Sequence, residues 1–135
     1  MKETIYRVLV AEDDHDTQKL LEDIFTQRRE VELVGIVSDG LAALETLQGM
    51  SEMPDIVVLD HHMPQLNGLE TAARIRELST EIKILMMSAD AAIRESARSH
   101  GFKNFIQKPH PVSDLVETVV RIAGEAKSRP VGSGE

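Results

Sequence analysis

The chain has no cysteine, which excludes disulfides, thiolate metal ligands and thiol nucleophiles. It also lacks any apolar run near the roughly 18 residues that a membrane-spanning helix needs. Residues 1–10 show no basic-then-apolar leader, so neither secretion nor a membrane span is expected, and a cytoplasmic location is the default. Neither G-x-x-x-x-G-K-[ST] nor G-x-G-x-x-G occurs, which argues against a nucleotide-binding module built on those loops. Basic residues are in deficit: 15 Lys and Arg against 23 Asp and Glu leave a net charge of −8, a balance that repels nucleic-acid phosphates. The deficit is uneven, since residues 1–69 hold five basic and 14 acidic residues (net −9) and residues 70–135 hold ten and nine (net +1). Such a first half suits a divalent cation or a cationic partner better than a DNA-reading surface, with a merely solvated acidic face as the plain alternative.

What remains is an ordinary globular composition, 135 residues with 41% hydrophobic and 28% charged. A single domain of that size buries about two thirds of its unfolded surface and needs no staples. Apolar patterning divides the chain into five strand-then-helix units. Ile5 to Ala11 reads as a strand, and the stretch after Asp14 carries Leu20, Leu21, Ile24 and Phe25 at helical spacing. Then come Glu32 to Val37 with Leu41 to Met50, Asp55 to Leu59 with Gly68 to Leu78, Ile82 to Met87 with Ala91 to His100, and Lys103 to Ile106 with Val112 to Ala126. The third and fourth strands are nearly continuous in apolar residues, as expected where helices cover both faces of a parallel sheet. Asp39-Gly40, Asn67-Gly68, Gly101 and Pro111 punctuate the helices. This is an open, doubly wound α/β sandwich over residues 1–126, and residues 127–135, rich in Pro, Gly and Ser, read as a flexible tail or linker stub. No segment is left over for a helix-turn-helix.

Ligands of such sheets collect at the carboxyl ends of the strands, and there the chemistry gathers. Strand one runs into Glu12-Asp13-Asp14, strand three into Asp60, strand four into Ser88-Ala89 and strand five into Lys108-Pro109. Carboxylates held close together raise one another's pKa unless a cation sits among them, and Mg²⁺ favours a few carboxylates together with waters and a phosphate oxygen. A lysine and a hydroxyl across the same cleft supply donors to phosphoryl oxygens. Asp60 is then the natural nucleophile, since carboxylates form acyl phosphates.

Those residues resemble a known family, the receiver domain of two-component response regulators. The matching stretches are Val8 to Asp14, Val57 to Pro64, Asn67-Gly68, Met87-Ser88-Ala89 and Phe105 to Pro109, in order along residues 4–126. The resemblance implies a flavodoxin-like, five-stranded parallel sheet of order 2-1-3-4-5 with five helices. By the same resemblance Asp60 is the phosphoacceptor, supplied by a sensor histidine kinase or phosphotransfer protein. Asp13, Asp60, the backbone carbonyl of His62 and, through water, Glu12 hold Mg²⁺. Lys108 and the Ser88 hydroxyl take phosphoryl oxygens, joined by the backbone N–H groups of His61 and Ala89. Ser88 and Phe105 form the switch that alters the face made by helix four, strand five and helix five, where an effector domain or protein would dock.

Several readings stay open at this level. The acidic pair is Glu12 with Asp13 or Asp13 with Asp14, and in the first case Asp14 is left to cap the first helix. His61, His62, His15 and His110 invite a transition-metal site. His62 and Asp90 are placed to line the entrance by which water reaches an acyl phosphate. The Ser88-to-Lys108 interval is shorter than the family leads one to expect, which points to a trimmed helix four or leading loop. Helix five carries more apolar residues than one buried stripe needs, so a partner contact or homodimer is expected there. The expected chemistry is limited to Mg²⁺-dependent self-phosphorylation and dephosphorylation rather than enzymatic turnover. The rivals are a phosphorylation-independent interaction domain and a haloacid-dehalogenase-like phosphatase, which needs an acid two residues beyond its nucleophile where this chain has His62.

Overall fold

A computed structural model of the chain describes residues 4–125; the expected tail at 127–135 lies outside the described residues. In chain order the elements are β1 (Tyr6–Ala11), α1 (His15–Thr26), β2 (Val31–Val37), α2 (Gly40–Gly49), β3 (Ile56–Asp60), α3 (Gly68–Leu78), β4 (Lys83–Ser88), α4 (Ala91–Ser99), β5 (Phe105–Gln107) and α5 (Val112–Ala123). All pairings are parallel and the sheet order is β2-β1-β3-β4-β5. This is the doubly wound α/β fold that the alternating pattern predicts. The chain leaves β1 for β2 on one side and returns to β3 on the other, so the order reverses between β1 and β3, where such sheets open a crevice.

Strand parity sorts the core into two layers. Val8, Val10, Ile56, Val58, Leu85, Met87 and Ile106 pack with Leu21 and Phe25 of α1 and Leu115, Val116, Val119 and Ile122 of α5. Leu9, Ala11, Val57, Leu59, Ile84 and Met86 face the other way, onto Ala43, Leu44 and Leu47 of α2, Ala72 and Ile75 of α3, and Ala97 of α4. β3 is buried along its whole length, which is why its sequence shows no alternation.

The helix starts follow capping chemistry. Asp14, Asp39, Asn67 and Asp90 cap α1, α2, α3 and α4 with their side chains. Asn67 and Glu70 form a reciprocal capping box. Gly68 lets that helix start close in on β3, because a Cβ there would lie 2.8 Å from the His61 Cα.

Three expectations change. β5 is only Phe105–Gln107, displaced from Lys103–Ile106: Asn104 still takes the Met86 N–H on its carbonyl (3.0 Å), but residues 103–104 lie outside the strand. α5 stops at Ala123, where the Gly124 N–H closes back onto the Val120 carbonyl. The apolar surplus of α5 goes largely into the core, with Leu115, Val116, Val119, Ile122 and Ala123 buried and Val120 packed against them. α4 has nine residues, follows Ser88 after only Ala89 and Asp90, and has Ala97 as its one fully buried residue.

Candidate functional site

The parity that builds the α1–α5 layer also aims the site residues. Val8 and Val10 lead in steps of two to Glu12, Ile56 and Val58 lead to Asp60, and Ile106 leads to Lys108. Three charged groups therefore emerge on one side of the switch point, at the ends of β1, β3 and β5. Asp60 is the last residue of β3 rather than the first after it, and is buried with Glu12.

Carboxylate oxygens of Glu12, Asp13 and Asp60 all lie within 4.8 Å of one another. Across from them Lys108 Nζ donates to Asp60 Oδ1 at 2.9 Å and stands 3.7 Å from Glu12 Oε1. Glu12 Oε2 accepts the Asp14 N–H at 3.1 Å, while Oε1 is buried and has no hydrogen-bond partner. Burial pushes the Glu12 carboxyl above its ordinary value, helped by the charges of Asp60 and Asp13 and opposed by the Asp14 N–H and Lys108. Burial alone would lower Lys108, but the hydrogen bond and charge of Asp60, with Glu12, outweigh it and hold the ammonium above its usual range.

The register of the acidic pair resolves at Asp14. Its Oδ2 accepts from the Thr17 N–H at 2.8 Å and from the Thr17 hydroxyl at 2.7 Å, which holds its carboxyl below the usual range. Asp14 caps α1, and the pair is Glu12 with Asp13.

Ser88 is fully buried at the end of β4; its Oγ accepts the Asp90 N–H (3.0 Å) and its carbonyl accepts the Lys108 N–H (2.9 Å). Asp90 in turn caps α4 through the Ala92 N–H (2.9 Å). The His61 N–H, expected at a phosphoryl oxygen, instead bonds the Met87 carbonyl at 2.9 Å. β3 and β4 stay paired through Asp60 opposite Met87, and that pairing takes the donor. The His61 carbonyl is also engaged, by the N–H groups of Met63 and Gly68, whereas among the described residues the His62 carbonyl accepts no hydrogen bond from the protein. His61 is buried, which lowers its imidazole pKa with help from His62, and the two rings meet edge to face at 4.9 Å. No histidine joins the acidic cluster, which is the only potential metal group among the described residues; the four histidines do not build a transition-metal site.

Phe105 is half-buried, with the Arg94 guanidinium of α4 lying 5.1 Å from its ring centroid. That cation–π contact, and the similar stacking of Arg76 on Phe102 at 4.0 Å, were not visible in the sequence, because residues on separate elements carry no spacing signal.

The residues present fit a hard divalent cation. Every candidate donor is an oxygen, which suits Mg²⁺, and the buried Glu12 Oε1, which accepts no hydrogen bond, is an acceptor that a cation or its water shell would satisfy.

The model of the response regulator receiver domain family matches residues 8–120. Among curated proteins, the chain is 31% identical over 127 residues to protein-glutamate methylesterase/protein-glutamine glutaminase 1 of Methanospirillum hungatei, covering 91% of this chain and 35% of that protein. The chain thus spans about a third of that relative's length. Among solved structures, the signal receiver domain of the putative response regulator NarL from Mycobacterium tuberculosis superposes with a TM-score of 0.79 at 29% identity, over 89% of this chain and 97% of that one. A CheX–CheY complex from Borrelia burgdorferi, solved with BeF₃ and Mg²⁺, matches with a TM-score of 0.77 at 26% identity, over 88% and 90% of the two chains.

Proposed function

The chain belongs to the response regulator receiver family, and on that premise we propose that Asp60 is its phosphoacceptor, loaded from a phosphohistidine on a sensor histidine kinase or phosphotransfer protein. The observation that carries the reading is the Glu12–Asp13–Asp60 cluster with Lys108 set against Asp60 at 2.9 Å.

Asp13 and Asp60 would hold Mg²⁺, with the His62 carbonyl and Glu12 as further oxygen donors. When bound, Mg²⁺ offsets the charge that builds on the phosphoryl oxygens. An Asp60 carboxylate oxygen forms the new O–P bond as the N–P bond to the donor imidazole breaks, and the imidazole departs with the bonding pair. The Lys108 ammonium exchanges its contact with Asp60 for one with a phosphoryl oxygen. Ser88 Oγ already accepts the Asp90 N–H, and a hydroxyl that accepts can still donate, so it donates a hydrogen bond to a second phosphoryl oxygen, as does the Ala89 N–H. Drawing Ser88 toward Asp60 pulls on Asp90, the cap of α4, while Phe105 shifts against Arg94 of the same helix. The α4–β5–α5 face thereby becomes the output surface for an effector domain or protein.

The test is intact mass after incubation with acetyl phosphate. One labile phosphoryl group should add with Mg²⁺ present, fail to add with chelator, and fail to add to Asp60→Asn. Absence of addition under every condition would refute the phosphoacceptor reading and leave a phosphorylation-independent interaction domain.

A further inference from the structure

Asp13 is exposed and has no hydrogen bond of its own to fix it among the described residues, yet it stands within the acidic cluster. Its position must come from the backbone that presents it. On the upstream side, the Glu12 N–H bonds the Val37 carbonyl at 2.9 Å. On the downstream side, the Glu12 carbonyl accepts from Gln18 Nε2 at 2.5 Å, and the same amide reaches Ser38 Oγ at 3.1 Å. The Glu12 carbonyl belongs to the peptide plane that joins Glu12 to Asp13, so whatever holds that oxygen sets the direction in which Asp13 leaves the strand.

Gln18 sits half-buried at the end of the first turn of α1. It ties that helix to the last residue before Asp13 and to the loop after β2. The side chain touches neither Asp60 nor Lys108 in any hydrogen bond, and it offers the cluster no donor or acceptor directly.

We propose that Gln18 is a positioning residue for the cation site, its amide fixing the Glu12–Asp13 peptide so that the Asp13 carboxylate is presented to Mg²⁺. The inference rests on reading Asp13 as a cation ligand. It extends that reading to a residue outside the ligand set, in the way that outer-shell partners orient metal ligands and tune affinity.

The experiment titrates Mg²⁺ into the metal-free full chain, following amide resonances of residues 12–14 by NMR. Three proteins are compared: the unchanged chain, Gln18→Leu and Ser38→Ala. The unchanged chain should saturate. Gln18→Leu should bind Mg²⁺ about tenfold more weakly, yet reach a normal phosphorylation level once Mg²⁺ saturates. Ser38→Ala, which keeps the bond to Glu12, should bind as the unchanged chain does. A generally loosened fold would lower the phosphorylation maximum instead of moving the Mg²⁺ midpoint, and that pattern overturns the positioning role. Equal Mg²⁺ affinity in Gln18→Leu and the unchanged chain overturns it too. If the unchanged chain itself fails to saturate, the cation reading falls, and the inference with it.

Discussion

Lys108 Nζ lies 2.9 Å from Asp60 Oδ1 and 3.7 Å from Glu12 Oε1, one ammonium facing two buried carboxylates. With Asp13 included, three carboxylates oppose one cation. With all three carboxylates ionised the cleft holds two negative charges in excess, which one divalent cation neutralises.

Removing that ammonium leaves buried charge uncompensated. Lys108→Ala is expected to lower metal-free stability by about 1–3 kcal/mol, and Mg²⁺ should shrink the deficit by taking over part of the neutralisation. Denaturant unfolding with and without Mg²⁺ measures both. The raised Lys108 pKa means that this contribution is fully present below the ordinary lysine value and is lost as pH rises through the higher folded value. A stability loss on the alkaline side should therefore be smaller in Lys108→Ala.

Glu12→Gln should act in opposite directions on folding and on metal binding. The Glu12 pKa is raised by burial, so the protonated acid is the form that the fold prefers. Its contribution is complete below the ordinary carboxylate value and is lost as pH rises through the raised one. At neutral pH the neutral amide should make the metal-free protein more stable, and the gain should vanish in acid. In the same variant Mg²⁺ should raise the melting temperature less than in the unchanged chain. Scanning calorimetry at pH 4 and pH 7, with and without Mg²⁺, separates the two effects.

Gly68→Ala should damage the site from outside it. The added Cβ would fall 2.8 Å from the His61 Cα and 3.1 Å from the Asp60 carbonyl, so the end of β3 or the start of α3 must move. Phosphorylation by acetyl phosphate should slow at least about tenfold, as expected for small displacements of reacting groups. A wild-type rate would mean that this contact does not set the place of Asp60.

Asn67→Ala removes one arm of the capping box, in which Asn67 Oδ1 accepts the Glu70 N–H at 2.8 Å. It should cost about 1 kcal/mol of stability. Asn67→Asp should recover most of it, as measured by urea midpoint.

Much of this was legible in the sequence, for identifiable reasons. The unbroken apolar run of residues 56–59 announces a strand buried on both faces, and it is one. Asp14, Asp39 and Asn67 precede helical patterns with side chains that cap, and each does so, whereas the capping of α4 by Asp90, placed from the sequence at a water entrance, went unread. The converging carboxylates were readable because strand ends in a doubly wound sheet meet at one edge. Backbone bonding was not readable. Nothing in the string indicates that the His61 N–H serves Met87 or that Gln18 reaches the Glu12 carbonyl, since both depend on how separate elements come to rest. The burial of helix five was hard to read for a related reason. Its apolar count exceeds one narrow stripe, but a helix packed against the centre of a sheet and a neighbouring helix buries a broader face.

The most direct test of the central claim is to locate the phosphoryl group. After acetyl phosphate and Mg²⁺, borohydride reduction converts an aspartyl phosphate to homoserine, and peptide mass spectrometry then reads its position. Homoserine is expected at position 60 and at no other acid of the cluster. Homoserine at position 13, or none anywhere in a protein that gained phosphoryl mass, would contradict that claim.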